Sequence, residues 1–225
     1  MNPWSDFYNS IKDDSWPESN TFESFLTLPS SIQLEIIKDH LFVRQSAQKN
    51  AQDTDFLGTL RNTVGEGGCL LSHQDSVFLS TLISTVSPRT VVEVGTLNGY
   101  TTAIIANAMC GFGIFLTLDE KNGVDSRILG YLGNATQIIE PFSTIYSNLT
   151  TPIELVFVNR DPSYATTFRD LTKTYEFLRK DGMIVCHNAD YPTVQDSIDD
   201  FLGVTMAIDC GNFGRKLRIF RKIEE

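Results

Sequence analysis

Short apolar runs alternate with amphipathic segments from about residue 71 onward, and this pattern predicts an α/β fold. The first five runs are apolar nearly throughout, which is typical of strands buried on both faces of a parallel sheet. Two later runs flank the turn-rich segment Cys210–Gly214 and are expected to form an antiparallel hairpin. In chain order, the predicted strands are Thr90–Val94, Ile114–Leu118, Gln137–Glu140, Ile153–Val158, Met183–His187, Thr205–Asp209 and Lys216–Phe220.

Helical spacing occurs between most of these strands. Ser72 is a typical N-cap for the first helix of this region, and Tyr100 opens the next. The predicted helices are Gln74–Thr85, Thr102–Met109, Tyr164–Leu178 and Thr193–Phe201. The alternation predicts a Rossmann-like, seven-stranded, mostly parallel sheet with helices on both faces and a C-terminal antiparallel hairpin.

The N-terminal part of the chain has a different character. Residues 1–70 are polar, with scattered aromatic side chains, a helix predicted at Ile32–Phe42 and a glycine-containing link with a short helix around Phe56–Leu60. We expect residues 1–70 to form an arm or lid that packs on a core domain of residues 71–225.

Composition narrows the function classes. The net charge of −10 is unfavourable for binding a nucleic-acid backbone. No apolar stretch is long enough to cross a membrane and no leader pattern is visible, so a cytoplasmic protein is expected. The four cysteines lack a CxxC pair, which favours reduced thiols over a disulfide frame or a zinc site.

The most informative segment is a strand, turn and helix around residues 91–102. Gly95 permits an unusual φ, and Gly99 removes a side chain where a ligand must come close. The free N–H groups of the following helix point toward whatever lies in the turn. Glu93 lies in an otherwise buried strand, so it needs a cation or a hydrogen-bond donor as partner. A ligand ammonium or hydroxyl would serve, and a satisfied structural acid is the alternative.

Polar residues follow the other predicted strands. In an open α/β sheet the ligand lies at the carboxyl ends of the strands, where the strand order reverses. Asp119 ends the second strand and is suited to accept from ribose hydroxyls, although it could be only a strand-end cap. Asn159 and Asp161 follow the fourth strand, and His187 ends the fifth.

These residues carry a resemblance to a known family. From Leu71 onward the chain resembles class I S-adenosylmethionine-dependent methyltransferases, nearest the small-molecule O-methyltransferases of the catechol and caffeoyl-coenzyme-A type. Those enzymes show E-[IVL]-G-x-x-x-G-Y-[ST] followed by T-x-[ED], and this chain has EVGTLNGYT at 93–101 and TLD at 117–119. The resemblance implies S-adenosylmethionine as cofactor, with its ribose at Asp119 and its methionine part surrounded by Glu93, Gly95, Thr96, Gly99, Tyr100 and Thr101.

Two later segments are similar to a related group that includes sugar-type methyltransferases. FVNRDPSY at 157–164 resembles F-[IV]-D-G-D-H-S-Y, and DGMIVCHNAD at 181–190 resembles G-G-x-I-V-x-H-D-A-D. The resemblance implies that Asn159 contacts the cofactor and the reacting groups, with Asp161 as a further candidate. Relatives that need Mg²⁺ carry carboxylates where this chain has Asn159, His187 and Asn188, and neutral side chains make a poor magnesium site. We therefore assign no metal ligand, and Mg²⁺ stays an open alternative.

Methyl transfer to oxygen needs alignment, exclusion of water and removal of one proton. His187 is the candidate base, because its ordinary pKa suits proton transfer near neutral pH; a hydrogen-bonded structural histidine is the alternative. The predicted function is O-methylation of a small hydroxylated acceptor such as a sugar or polyphenol. A binding protein that has lost catalysis and a nucleotide-binding oxidoreductase are the other hypotheses, the latter disfavoured by the glycine spacing. A homodimer is left open.

Overall fold

The centre of the protein is a sheet of seven strands, seen in a computed structural model that describes residues 51–140 and 152–223. Most of the strands are short, largely apolar runs whose flanks carry turn residues. The strands are β1 Thr90–Val94, β2 Ile114–Asp119, β3 Thr136–Ile139, β4 Ile153–Val158, β5 Leu178–Cys186, β6 Ala207–Phe213 and β7 Leu217–Lys222.

The strand order is β3-β2-β1-β4-β5-β7-β6. The first five strands are parallel, and β7 runs antiparallel to both of its neighbours. The order reverses between β1 and β4, where Val94 pairs with Leu118 on one side and with Val158 on the other. The predicted seven-stranded, mostly parallel sheet with a C-terminal hairpin is confirmed.

Helices cover both faces of the sheet, because successive strand residues point to opposite sides. Val91 belongs to the core beneath α1, α2 and α3, whereas Val92 belongs to the core beneath α4 and α5. The helices are α1 Ala51–Val64, α2 His73–Val86, α3 Tyr100–Met109, α4 Tyr164–Phe177 and α5 Pro192–Val204. Two short 3₁₀ helices, Glu66–Gly68 and Ser126–Tyr131, pack against α1.

Local signals explain where the main helices begin. The Ser72 hydroxyl accepts a hydrogen bond from the Asp75 backbone N–H at 3.1 Å, as an N-cap does. Pro192 stands in the first turn of α5, where its missing N–H costs nothing. α2 ends at Ser87, whose left-handed φ of 49° stops the helix.

Most boundaries differ from the sequence-based prediction by no more than about three residues, and three elements differ by four or more at one end or at both. Strand β5 begins at Leu178 rather than Met183, because Leu178 pairs with Ile153 across a bulge that the polar residues 179–181 conceal. β6 continues to Phe213, so the hairpin turn is shorter than the predicted Cys210–Gly214 link. α1 spans 14 residues instead of the predicted short helix, and it buries a face of Leu57, Leu60 and Val64.

The N-terminal predictions are tested only in part. The predicted helix Ile32–Phe42 and most of the 1–70 arm lie outside the described residues, so the arm and the boundary at residue 70 stay predictions. Within residues 51–140 and 152–223, no helix is long and apolar enough to cross a membrane.

Candidate active site

The turn after β1 is shaped by Gly95. Its φ is +102°, and its N–H donates to the Leu118 carbonyl at 2.8 Å. A Cβ built on Gly95 would lie 2.1 Å from the carbonyl oxygen of Asn159, at the end of β4. Only glycine therefore lets the ends of β1 and β4 approach so closely.

The second half of the turn leads into α3. Gly99 has a φ of +82° and donates its N–H to the Thr96 carbonyl at 2.8 Å. Leu97 also has a positive φ, of 50°, and its N–H donates to Asp119 Oδ2 at 2.9 Å. Asp119 Oδ1 accepts from the Lys121 N–H at 3.2 Å. Asp119 lies half-buried at the end of β2, and its two hydrogen bonds hold the turn in place.

Glu93 is completely buried beneath this turn. Its Oε2 accepts hydroxyl hydrogen bonds from Thr102 at 2.5 Å and from Thr117 at 2.6 Å. The Thr117 hydroxyl proton is thus engaged, so Thr96 donates to Thr117 Oγ1 across 2.7 Å. Burial raises the pKa of Glu93 to about 8, and the two threonine hydrogen bonds oppose that rise without cancelling it.

Two buried side-chain oxygens beside the turn have no hydrogen-bond partner within the described part of the chain: Glu93 Oε1 and Thr101 Oγ1. Tyr100, by contrast, is fully buried in the core, with its hydroxyl 3.4 Å from Ser76 Oγ. Tyr100 contributes its backbone N–H to the turn, donating it to Asn98 Oδ1 at 3.1 Å. Unsatisfied buried oxygens are costly, so the pair fits a site that a polar ligand completes.

Asn159 and His187 meet at the neighbouring ends of β4 and β5. The Asn159 N–H donates to the Val94 carbonyl at 2.8 Å, and the His187 N–H donates to the Val158 carbonyl at 3.0 Å. These bonds bring Asn159 Oδ1 within 2.7 Å of His187 Nδ1. Because an amide oxygen only accepts, Nδ1 carries the imidazole proton and Nε2 keeps its lone pair.

The imidazole is neutral over the physiological range. His187 is only 7% exposed, and burial lowers the pKa of its side chain to about 4. Nε2 is buried and has no hydrogen-bond partner among residues 51–140 and 152–223. His187 therefore offers an uncharged nitrogen lone pair at the carboxyl edge of the sheet.

Asp161 is not brought into this group. Its side chain is exposed, and it makes no hydrogen bond or ion pair with any other described residue. The neighbouring Arg160 instead reaches across the strand ends, forming ion pairs with buried Asp170 at 3.2 Å and with Glu120 at 3.5 Å. Sequence reasoning missed Arg160, because a lone arginine after a strand reads as an ordinary loop residue.

Asp75 is a second residue that sequence reasoning missed. It is fully buried, and its Oδ2 accepts a hydrogen bond from the Ser72 hydroxyl at 2.6 Å. Its Oδ1 accepts from the backbone N–H of Arg215 at 2.6 Å, which ties the β6–β7 turn to the start of α2. A Cβ on Gly214 would lie 2.2 Å from this oxygen. The only sequence signal is an acidic residue in a first helical turn, which is a general helix preference and does not indicate a buried contact with a distant turn.

The donor set at the strand ends does not suit Mg²⁺. Asn159 Oδ1 and His187 Nδ1 are bonded to each other, and Asn188 adds only a neutral amide. Magnesium is usually held through at least one carboxylate. The described parts of the chain contain no group of three or more His, Cys, Asp or Glu residues that could hold a metal ion.

Comparison with known proteins agrees with this geometry. A family model described as a methyltransferase domain matches residues 92–189, which span the glycine turn, Asn159 and His187. Comparison with curated proteins finds no significant sequence match.

Solved structures share the fold at low identity. Cofactor-bound Rv0187 from MTB is 16% identical, with 82% of this chain and 95% of that chain covered and a TM-score of 0.60. The O-methyltransferase TomG from Streptomyces achromogenes, in complex with SAM, is 17% identical, with 75% and 89% covered and a TM-score of 0.57. An O-methyltransferase from Bacillus cereus in complex with SAH is also 17% identical, with 81% and 96% covered and a TM-score of 0.57.

The family match covers the two segments that meet at the reversal of strand order, and the shared fold covers the rest of the described sheet. Residues 92–189 therefore match a methyltransferase domain, on a fold shared with methyltransferases solved with SAM or SAH.

Proposed function

We propose that this protein is an S-adenosylmethionine-dependent methyltransferase that transfers a methyl group to a hydroxyl oxygen of a small acceptor, with His187 as the base. The observation that carries the proposal is the Asn159–His187 hydrogen bond of 2.7 Å, which leaves Nε2 unprotonated and unpaired. Two of the fold neighbours are named as O-methyltransferases, which supports oxygen as the accepting atom.

The cofactor residues follow from the turn. Gly95, Thr96 and Gly99 would supply backbone close to the ligand, and Asp119 is the ribose candidate. Glu93 Oε1 and Thr101 Oγ1 are buried polar atoms without a hydrogen-bond partner among the described residues. When bound, S-adenosylmethionine supplies an activated methyl group on a sulfonium. The contribution of Tyr100 is to fix the turn through its buried ring.

The chain's own chemistry is then one proton transfer. Bound S-adenosylmethionine would supply the methyl carbon to the acceptor oxygen and leave as S-adenosylhomocysteine with the electron pair of the carbon–sulfur bond, and the hydroxyl proton of the acceptor would move to His187 Nε2. With its pKa lowered to about 4, His187 is a weak base. Proton removal therefore accompanies methyl transfer, as the acceptor oxygen becomes acidic, and does not precede it. Asn159 holds the ring so that Nε2 is the atom that receives the proton.

The proposal needs no metal ion. Because the donor set described above is neutral, we expect the turnover rate in EDTA to equal the rate with added Mg²⁺.

Asp161 stays a secondary candidate for the catalytic group, and Asp161→Asn in the same assay tests it. We further infer a small molecule and not a nucleic acid as acceptor, because the net charge of −10 is unfavourable for nucleic-acid binding. A cytoplasmic location stays a prediction. The homodimer stays open, and light scattering would settle it.

The first experiment is calorimetry with S-adenosylmethionine, S-adenosylhomocysteine and NAD. We expect the two S-adenosyl compounds to bind and NAD not to bind; binding of NAD alone would indicate an oxidoreductase. The second is mass spectrometry of hydroxylated acceptors for the gain of one methyl group, with Mg²⁺ or with EDTA. Cofactor binding without methylation of any acceptor in the panel would favour a protein that has lost catalysis.

The matched variants are His187→Ala and His73→Ala, since His73 is exposed at the start of α2. We expect His187→Ala to lower turnover by about 10²- to 10⁴-fold while cofactor binding survives. His73→Ala should keep the wild-type rate. Equal rates for His187→Ala and the wild type would remove His187 from the mechanism.

A further inference from the structure

A cleft of about 410 Å³ opens beside the candidate base. His187 lines it together with residues from α1, the start of α2 and the β6–β7 turn. None of the glycine-turn residues lines this cleft, so it is separate from the candidate cofactor turn yet shares His187 with the proposed chemistry. A cleft of this size suits a small organic ligand.

The charge of the cleft is opposite to that of the protein. Its lining includes the cations Arg61, Arg215 and Lys216 and a single acid, Glu66, in a chain of net charge −10. Glu66 is 91% exposed and pairs with Arg61 at 3.3 Å, so Arg215 and Lys216 have no acidic counterpart among the residues that line the cleft. Exposed ion pairs of this kind are weak and can exchange partners.

The backbone of Arg215 and Lys216 is held in place by two hydrogen bonds. Asp75 Oδ1 accepts from the N–H of Arg215 at 2.6 Å, and the Lys216 carbonyl accepts from the Ala189 N–H at 3.0 Å. The second bond ties the turn to the loop that follows His187. The turn is thus fixed on both sides, and its cations need little ordering when an anion arrives.

Both cationic side chains are at least partly exposed. Arg215 is exposed and forms no ion pair with the other described residues. The Lys216 ammonium lies 4.8 Å from the centre of the Tyr191 ring and 3.6 Å from Asp190 Oδ2, and both members of that ion pair are partly exposed. Lys216 is also close enough to His187 to contribute to the lowering of its pKa.

We propose that this cleft binds the acceptor and that the acceptor carries an anionic group, a carboxylate or a phosphate, which Arg215 and Lys216 hold while its hydroxyl faces His187. The inference rests on the proposed function and names the substrate class for it. Charge-assisted hydrogen bonds to the guanidinium and ammonium would fix one end of the acceptor. The hydroxyl at the other end is then oriented for deprotonation.

The test is a binding measurement that does not depend on turnover. Three probes of similar size are titrated by NMR in the presence of S-adenosylhomocysteine: 4-hydroxybenzoate, 4-hydroxyphenyl phosphate and neutral 4-hydroxybenzyl alcohol. We expect at least one anion to bind about tenfold or more tightly than the alcohol. The tighter of the two anions identifies the group as carboxylate or phosphate. Equal affinity for all three probes, or no binding of either anion, would overturn the proposal.

The matched variants carry the same loss of charge at two places. Arg215→Gln with Lys216→Gln removes both cations from the cleft, and Arg89→Gln with Lys180→Gln removes two exposed cations elsewhere. We expect the first pair to weaken anion binding about tenfold and the second pair to leave it unchanged. An equal loss in both would mean that only the overall charge matters and would contradict the proposal. If the double variant is unstable, Arg215→Gln alone gives the same comparison with Arg89→Gln.

Failure of this inference is distinguishable from failure of the proposed function. Calorimetry with S-adenosylmethionine reports on the cofactor turn, which contains neither Arg215 nor Lys216. Cofactor binding and methylation of neutral acceptors, without preference for anions, would refute the anionic acceptor alone.

Discussion

Asn159 Oδ1 and His187 Nδ1 lie 2.7 Å apart, joining the ends of two adjacent parallel strands. This contact fixes the tautomer of a buried imidazole. It also takes up the oxygen that a metal ion would need from Asn159, so the same hydrogen bond favours proton transfer and disfavours magnesium at this edge of the sheet.

Asn159→Asp is expected to raise the pKa of His187. A carboxylate in place of the amide oxygen favours the charged imidazolium, by about 1–3 pH units for a close opposite charge. NMR titration of the imidazole protons measures the change. In the wild type His187 should titrate near pH 4, because burial disfavours its charged form. Asn122→Asp, at an exposed position, is the control, and a wild-type His187 that titrates at its ordinary pKa would contradict the assignment.

Glu93 makes the stability of the ligand-free protein pH-dependent. The unfolded chain releases this proton near pH 4.5, whereas the folded chain holds it to about pH 8. Between these values the folded state binds more protons, so the free energy of unfolding falls as the pH rises. Chemical unfolding at pH 5 and pH 8 should show this fall in the wild type and a smaller one in Glu93→Gln. Glu176→Gln, at an exposed ion pair, should behave as the wild type; parallel profiles for all three proteins would refute the raised pKa.

Gly95→Ala is expected to destabilise the protein and to abolish cofactor binding. The added Cβ meets the Asn159 carbonyl at 2.1 Å, and the φ of +102° is unfavourable for any side chain. A loss of about 3 kcal/mol or more in the free energy of unfolding follows from the strain and the forced separation of β1 and β4. Gly58→Ala in α1 is the control, since its Cβ meets nothing within 4 Å. That substitution should stabilise the helix by about 0.5–1 kcal/mol. Wild-type stability in Gly95→Ala would contradict the close approach.

Asp75→Ala should loosen the β6–β7 turn. The substitution removes the acceptor for the Ser72 hydroxyl and the Arg215 N–H in a buried setting, which costs about 2–3 kcal/mol. Urea unfolding measures the loss, and amide hydrogen exchange at residues 214–216 should increase. Asp55→Ala on the exposed side of α1 should stay within about 0.5 kcal/mol of the wild type. Unchanged exchange in Asp75→Ala would show that the turn does not depend on this contact.

The sequence alone predicts the sheet well because most of its strands are short and apolar and are separated by turn residues. It fails where the pattern is mixed, as at residues 178–182. Here a polar stretch with Gly182 reads as a loop, although Leu178 already pairs with Ile153. Pairing across a bulge depends on a strand distant in sequence, and a local window does not contain that strand.

The candidate site was predictable in its parts but not in its connections. The glycine turn, Asp119 and His187 follow from local patterns and from the family resemblance. That Thr102 and Thr117 donate to Glu93, or that Asp75 holds a turn 140 residues away, depends on contacts between distant segments. Such partners look like ordinary helix and strand residues, so no motif identifies them.

The strand order also bears on how the molecule is assembled. β7 follows β6 in the chain yet lies between β5 and β6. During synthesis, the edge of β5 that β7 covers therefore stays unpaired until residues 217–222 leave the ribosome and pair with it. Exposed strand edges invite association with other chains. A chain cut shortly before residue 217 would leave this edge of β5 unpaired, and we expect it to associate with other chains more readily than the uncut chain does.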